Sequence, residues 1–198
     1  MPKGYAGQLL WVDLSTGKTS TTVLDEATAK QYLGGSGLGA KLIRDRLKTI
    51  RGPLDPSNPL CFMPGLLCGT LVPGSNRTTV CALSPATNAW GEARAGGAWA
   101  PMLKYAGYDG AIFVGKAAHP VYVWIENDRV EIRPADRAYR PSNITQAIRE
   151  SFSPAWPMPA TTASGWVSAS RRVSVSKKPF PQSPSAGRIS TRSFSIQT

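Results

Sequence analysis

All 12 acidic residues of this 198-residue chain lie within its first 150 positions, and that asymmetry bounds what can fold. Residues 1–150 carry 17 Lys/Arg against 12 Asp/Glu, a net of +5. Residues 151–198 carry six Lys/Arg and no acid, a net of +6, completing the +11 of the whole chain. The first stretch has the mixed charge and periodic apolar residues of an ordinary soluble domain. The second is Ser-, Pro- and Arg-rich, with few large aliphatics and no sustained period. Such a composition cannot bury enough apolar surface to offset the entropy of ordering a chain. The expectation is a folded unit over residues 1–152 and a disordered tail over 153–198.

The same split excludes several classes of function. A cationic tail on a mildly basic domain is not a uniform basic face, which argues against nucleic acid. No apolar run approaches the roughly 20 residues that span a bilayer. The opening Met-Pro-Lys-Gly-Tyr-Ala-Gly has no apolar core of a secretory signal. Cys61, Cys68 and Cys81 are odd in number and widely spaced, which fits a reducing cytoplasm rather than a disulfide framework.

Within the first stretch the periodicities alternate between strand and helix. Residues 8–14 are rich in β-formers, Ser15-Thr-Gly-Lys18 is a turn, and residues 19–23 return as the second arm of a hairpin. Asp25 is placed to cap a helix over 26–33 that Gly34-Gly35 ends. Leu38, Leu42, Ile43 and Leu47 form one apolar stripe on a second helix. Short apolar runs at 60–63 and 78–83 read as buried strands. Between them lies a Gly- and Pro-rich loop, 65–77, and a second loop follows over 84–97. A helix over 99–106, strands at 111–114, 121–125 and 129–132, a hairpin turn at Asn127-Asp128 and a helix from 143 to 151 complete the reading. Hairpins mixed with helices predict an α+β fold of mixed β-sheets with packed helices.

Three segments invite chemical readings. Gly34-Gly-Ser-Gly-Leu-Gly-Ala-Lys41 has the glycine gap of a phosphate loop, but lacks the Lys-Ser/Thr ending and does not follow a strand. It reads as a glycine-rich turn between two helices. Arg77 ends the first loop just before a strand, where a guanidinium can pair bidentately with phosphate and loop amides can add contacts; alone it is ordinary surface. Arg94-Ala-Gly-Gly97 precedes a helix, and Gly96 and Gly97 permit close backbone approach to an anion; from spacing alone it is a tight turn. The single histidine, His119, stands before Pro120 in a turn. The cysteines have no C-x-x-C spacing, so neither a catalytic residue nor a metal ligand is assigned within this chain.

The order of the segments carries more than any one of them. Gly4-Tyr-Ala-Gly-Gln-Leu-Leu-Trp-Val-Asp-Leu-Ser-Thr-Gly17, Tyr32-Leu-Gly-Gly-Ser-Gly-Leu-Gly-Ala-Lys-Leu42, Asp55-Pro-Ser-Asn-Pro-Leu60, the loop from Gly65 to Arg77, and Gly96-Gly97 followed by Leu103-Lys-Tyr-Ala-Gly-Tyr-Asp109 resemble, in order, the opening of the aldehyde:ferredoxin oxidoreductase family. The resemblance implies the N-terminal, pterin-cradling domain of a tungsten enzyme, with molybdenum as a substitute metal. It implies two pterin dithiolenes, a four-iron, four-sulfur cluster, an aldehyde substrate and ferredoxin as electron acceptor. On the matching positions it implies cofactor contacts from Arg77 and from the segment Arg94, Ala95, Gly96 and Gly97. Arg94 stands where well-known members carry Asn.

The family's C-x-x-C-x-x-x-C cluster motif does not occur in these 198 residues. The resemblance therefore implies an incomplete second half and a chain inactive alone. The abrupt switch inside the domain to acid-free Ser/Arg/Pro text gives the further expectation that residues after about Phe152 are out-of-frame sequence. Two other readings stand beside it. One is a small basic binding module whose tail contacts nucleic acid or acidic surfaces. The other is a subunit that pairs with separately encoded downstream domains.

Overall fold

The structure, a computed structural model, describes residues 4–135 together with the strands Arg172–Ser174 and Ser195–Gln197. A six-stranded mixed sheet forms its centre, in the order β2-β1-β6-β3-β4-β5. The strands are β1 (Gln8–Asp13), β2 (Lys18–Val23), β3 (Leu60–Pro64), β4 (Thr78–Leu83), β5 (Trp90–Ala95) and β6 (Gly110–Val114). Only β1 and β6 run parallel; the other pairings are antiparallel.

Alternation along these strands sorts the core into two layers. Leu9, Cys61, Met63, Cys81 and Ile112 project to one face, where they meet Ala29 of α1 (Glu26–Tyr32) and Leu38 and Ile43 of α2 (Gly35–Arg46). Leu10, Val12, Phe62, Ala111 and Phe113 project to the other. There they pack on Met102 and Leu103 of α3 (Trp99–Tyr105) and on Val123 and Ile125 of β7 (Val121–Glu126). The strand β7 pairs with β8 (Arg129–Pro134) through a turn in which Asn127 and Asp128 both take positive φ, 49° and 63°. That is the backbone a two-residue hairpin connection needs.

The predicted α+β class and most predicted elements are present. The side chain of Asp25 accepts from the Thr28 amide at 2.8 Å and caps α1 as expected. Two readings need correction. The segment 84–97, read as loop, contains strand β5; its Trp-Gly-Glu-Arg composition carries no apolar alternation, and its pairing with β4 defines it. The glycine-rich turn shrinks to Gly34, because α2 begins at Gly35. The inner glycines serve packing instead. A Cβ at Gly37 would lie 2.5 Å from the Tyr32 carbonyl oxygen, and one at Gly39 would collide with Cys81 Sγ. Close helix–sheet approach outweighs the weak helix propensity of glycine.

The helix read at 143–151 lies outside the described residues. So does nearly all of the expected tail from 153. Within it, β9 (Arg172–Ser174) and β10 (Ser195–Gln197) extend the β7-β8 sheet in the order β8-β7-β10-β9.

Candidate functional site

The loop 65–77 is built as a closed, braced unit. The Gly65 amide donates to the Arg77 carbonyl at 2.9 Å, shutting the loop at its base. The buried Cys68 thiol donates to the carbonyls of Ser75 and Arg77 at 3.1 and 3.0 Å. The Gly69 amide donates to Asn76 Oδ1, and the Ser75 hydroxyl to the Leu67 carbonyl. From outside, the Tyr105 hydroxyl donates to the Gly69 carbonyl at 3.0 Å, and Lys104 Nζ to the Leu66 carbonyl at 3.3 Å. These bonds satisfy groups that a long loop would otherwise leave to water, and they set where Arg77 leaves the loop.

Arg77 then enters β4, and the β4–β5 register decides what faces it. Thr79 pairs with Arg94 and Thr78 with Ala95, so continuing the ladder sets Arg77 opposite Gly96. The geometry agrees: a Cβ on Gly96 would lie 3.8 Å from Arg77 Nη1 and 3.7 Å from the Asn76 carbonyl oxygen. At Gly97, with φ of +103°, a Cβ would meet nothing within 4 Å. Arg77 and the Gly96-Gly97 turn thus share one end of the sheet, with open space above the turn. Arg77 is exposed and makes no ion pair with any described residue.

Arg94 lies on the sheet face covered by α2. Its Nε donates to Glu92 Oε1 at 2.5 Å, and its Nη2 reaches the Ser36 hydroxyl at 3.4 Å. Ser36 in turn lies 3.4 Å from Thr79 Oγ1. Burial pushes the Glu92 carboxyl up, but hydrogen bonds from Ser36 and Arg94 outweigh it and hold it below the usual carboxylate range. The 12-residue helix α2 begins beside this cluster at Gly35, with no side chain capping its first turn.

The structure therefore brings together Arg77, Arg94, Ala95, Gly96 and Gly97, from two separate segments of the sequence. It adds Ser36, Thr79 and Asn76, which sequence reading passed over. Ser36 carried a signal in the Gly-Ser-Gly run that was set aside as a turn; Thr79 and Asn76 are recognisable only through strand register and loop closure. No three of His, Cys, Asp and Glu converge among the described residues. The groups present at this end, guanidinium and backbone amide, are of the kind that can contact an anion.

The sequence model described as "Aldehyde ferredoxin oxidoreductase, N-terminal domain" matches residues 9–175, and the chain belongs to that family. It is 38% identical over 136 residues to a tungsten-containing aldehyde ferredoxin oxidoreductase of Pyrococcus horikoshii, covering 69% of this chain and 22% of that protein. It is also 38% identical over 136 residues to an aliphatic sulfonate oxidoreductase, WOR-like subunit, of Pyrococcus furiosus, covering 67% of this chain and 22% of the relative. Among solved structures it resembles the active site complex BamBC of benzoyl coenzyme A reductase, in complex with 1,5-dienoyl-CoA. That match has a TM-score of 0.71 and 36% identity, and covers 88% of this chain and 25% of the other. The chain thus spans about a quarter of the length of these relatives.

Proposed function

We propose that this chain forms the base of the cofactor site in a tungsten- or molybdenum-pterin oxidoreductase that oxidises aldehydes and passes electrons to ferredoxin. Family membership and tungsten-containing relatives support the class. The observation that carries the placement is the convergence of Arg77 Nη1 on Gly96, at 3.8 Å from its Cβ position, beside the open Gly97 turn.

The fit to a bulky, dianionic cofactor is physical. Side chains at 96 and 97 would occupy the space above the turn, and glycine leaves it free for a flat ring or a phosphate to approach the amides. The Arg77 guanidinium is exposed and supplies two parallel N–H donors for a phosphate edge. Arg94, held at its Nε by Glu92, keeps its terminal nitrogens directed toward Ser36 and α2. Ala95 sets the backbone between them at the end of β5. The metal and its dithiolene sulfurs supply the redox chemistry when bound; the protein supplies orientation and fixed positive charge. The family's iron–sulfur ligands are not among these residues, and the chain alone is proposed to be inactive. Turnover of aldehyde with a viologen acceptor by the purified 198-residue protein would overturn that part.

The placement is tested with inorganic pyrophosphate as probe. Amide and guanidinium NMR shifts on titration are expected at residues 76–79 and 94–97. Arg77→Ala should weaken the interaction about tenfold, as loss of a charge-assisted pair does. Shifts scattered over the surface, or an unchanged affinity in Arg77→Ala, would refute it.

A further inference from the structure

Gly69 is the hub of the loop that ends at Arg77. Its φ of +78° is one that L side chains rarely adopt, and a Cβ there would lie 2.9 Å from Cε1 of Tyr105. Its carbonyl accepts from the Tyr105 hydroxyl at 3.0 Å, and its amide donates to Asn76 Oδ1 at 3.2 Å. Both polar groups of one buried glycine therefore join α3 to Asn76.

At Asn76 that relay meets the candidate site. The Arg77 amide donates to the Ser75 carbonyl at 2.8 Å, closing a three-residue turn centred on Asn76. The Cys68 thiol bonds the carbonyls on either side of Asn76, those of Ser75 and Arg77. The Asn76 carbonyl oxygen itself lies 3.7 Å from where a Cβ on Gly96 would be. One residue thus reaches the loop hub through its side chain and the facing Gly96 turn through its backbone.

This bracing adds little to the core. Of residues 66–77 only Cys68 and Gly69 are buried, and Asn76 and Arg77 are exposed. What it fixes is the point from which the Arg77 side chain sets out, with Nη1 3.8 Å from the Cβ position of Gly96. A long exposed side chain has many rotamers, and a shift of about 1 Å in its origin is enough to lose a paired contact. We propose that Tyr105 and Asn76 are positioning residues for the anion contact of Arg77, with Tyr105 acting from α3 through Gly69 and Asn76. The proposal deepens the cofactor reading above and rests on it for its purpose.

The test uses the 198-residue chain, with inorganic pyrophosphate as probe and NMR as readout. Tyr105→Phe removes the hydroxyl and keeps the ring against Gly69. It should weaken pyrophosphate binding at the Gly96 and Gly97 amides about fivefold, the worth of one net hydrogen bond. Asn76→Ala should do the same. The double variant should lose little more than either single, because both changes break one relay. Before any pyrophosphate is added, the Arg77 Nε–H of Tyr105→Phe should already show lowered order on the nanosecond timescale. Its thermal midpoint should fall by no more than about 3 °C. A lowered midpoint with unchanged Arg77 order and unchanged affinity would make the relay structural only and overturn the proposal. Additive losses in the double variant overturn it as well. If pyrophosphate fails to bind the parent protein, or binds Arg77→Ala equally well, the cofactor reading fails, and the order of Arg77 in the free protein still decides whether Tyr105 positions it.

Discussion

Lys104 and Asp109 form an ion pair inside the protein, Nζ 2.9 Å from Oδ1, with side chains only 7% and 2% exposed. Both charges are further satisfied. Lys104 donates to the Gly4 and Leu66 carbonyls, and Asp109 accepts from the amides of Ala6 and Gly7. One pair thereby ties the N-terminal segment, α3, the start of β6 and the loop that positions Arg77.

Removing one partner leaves the other charge buried and uncompensated. Lys104→Met or Asp109→Asn is expected to cost about 3–5 kcal/mol in urea unfolding. The double variant Lys104→Met/Asp109→Leu should cost less than the sum of the singles. Additive losses would show that the two side chains do not act as a unit.

The Glu92–Arg94 pair predicts a titration. A carboxyl held below its ordinary range stabilises the fold at pH above its unfolded-state value. That contribution disappears as pH falls through the folded-state value. Carbon-13 NMR of the Glu92 carboxyl should show a depressed titration midpoint. Arg94→Gln should move it upward, and an unmoved midpoint would mean that Ser36 and Trp90 hold it without Arg94.

Thiol reactivity should be silent until the protein unfolds. Cys61, Cys68 and Cys81 are 0%, 2% and 1% exposed. The Cys61 thiol is raised well above its usual range by its hydrogen bond with Cys81 and by burial. A chromogenic disulfide reagent is expected to react with none of the 3 cysteines in buffer and with all of them in denaturant. Rapid labelling of one thiol under native conditions would contradict the packing described here.

Gly39 should be intolerant of a single methyl group. A Cβ there collides with Cys81 Sγ and lies 3.5 Å from Met63 Cγ, so Gly39→Ala should destabilise by about 1–3 kcal/mol despite alanine's better helix propensity. Cys81→Ala in the same chain should recover part of the loss. Gly52→Ala, where a Cβ meets nothing within 4 Å, serves as the neutral control.

The parts of this fold that were legible beforehand are those where local chemistry and tertiary role agree. Asp25 reads as a cap because its side chain and the Thr28 amide are three residues apart. The paired faces of β1, β3 and β6 read as strands because both sides are buried and apolar. Strand β5 was missed because a solvent-facing edge strand needs no apolar alternation, only a partner. The glycine run was misread because Gly39 answers to Cys81, which lies on a strand far along the chain and in no local window.

For the candidate site, the sequence alone determined the ingredients: two glycine-bearing loops, an arginine beside each, and an order of segments particular to one family. Their meeting was decided only in three dimensions. The Thr79–Arg94 register carries Arg77 opposite Gly96, and the hydrogen bonds of Cys68, Tyr105 and Lys104 hold the loop that delivers it. Register and loop closure depend on contacts between residues far apart in the chain, and such contacts leave no periodic trace in the sequence.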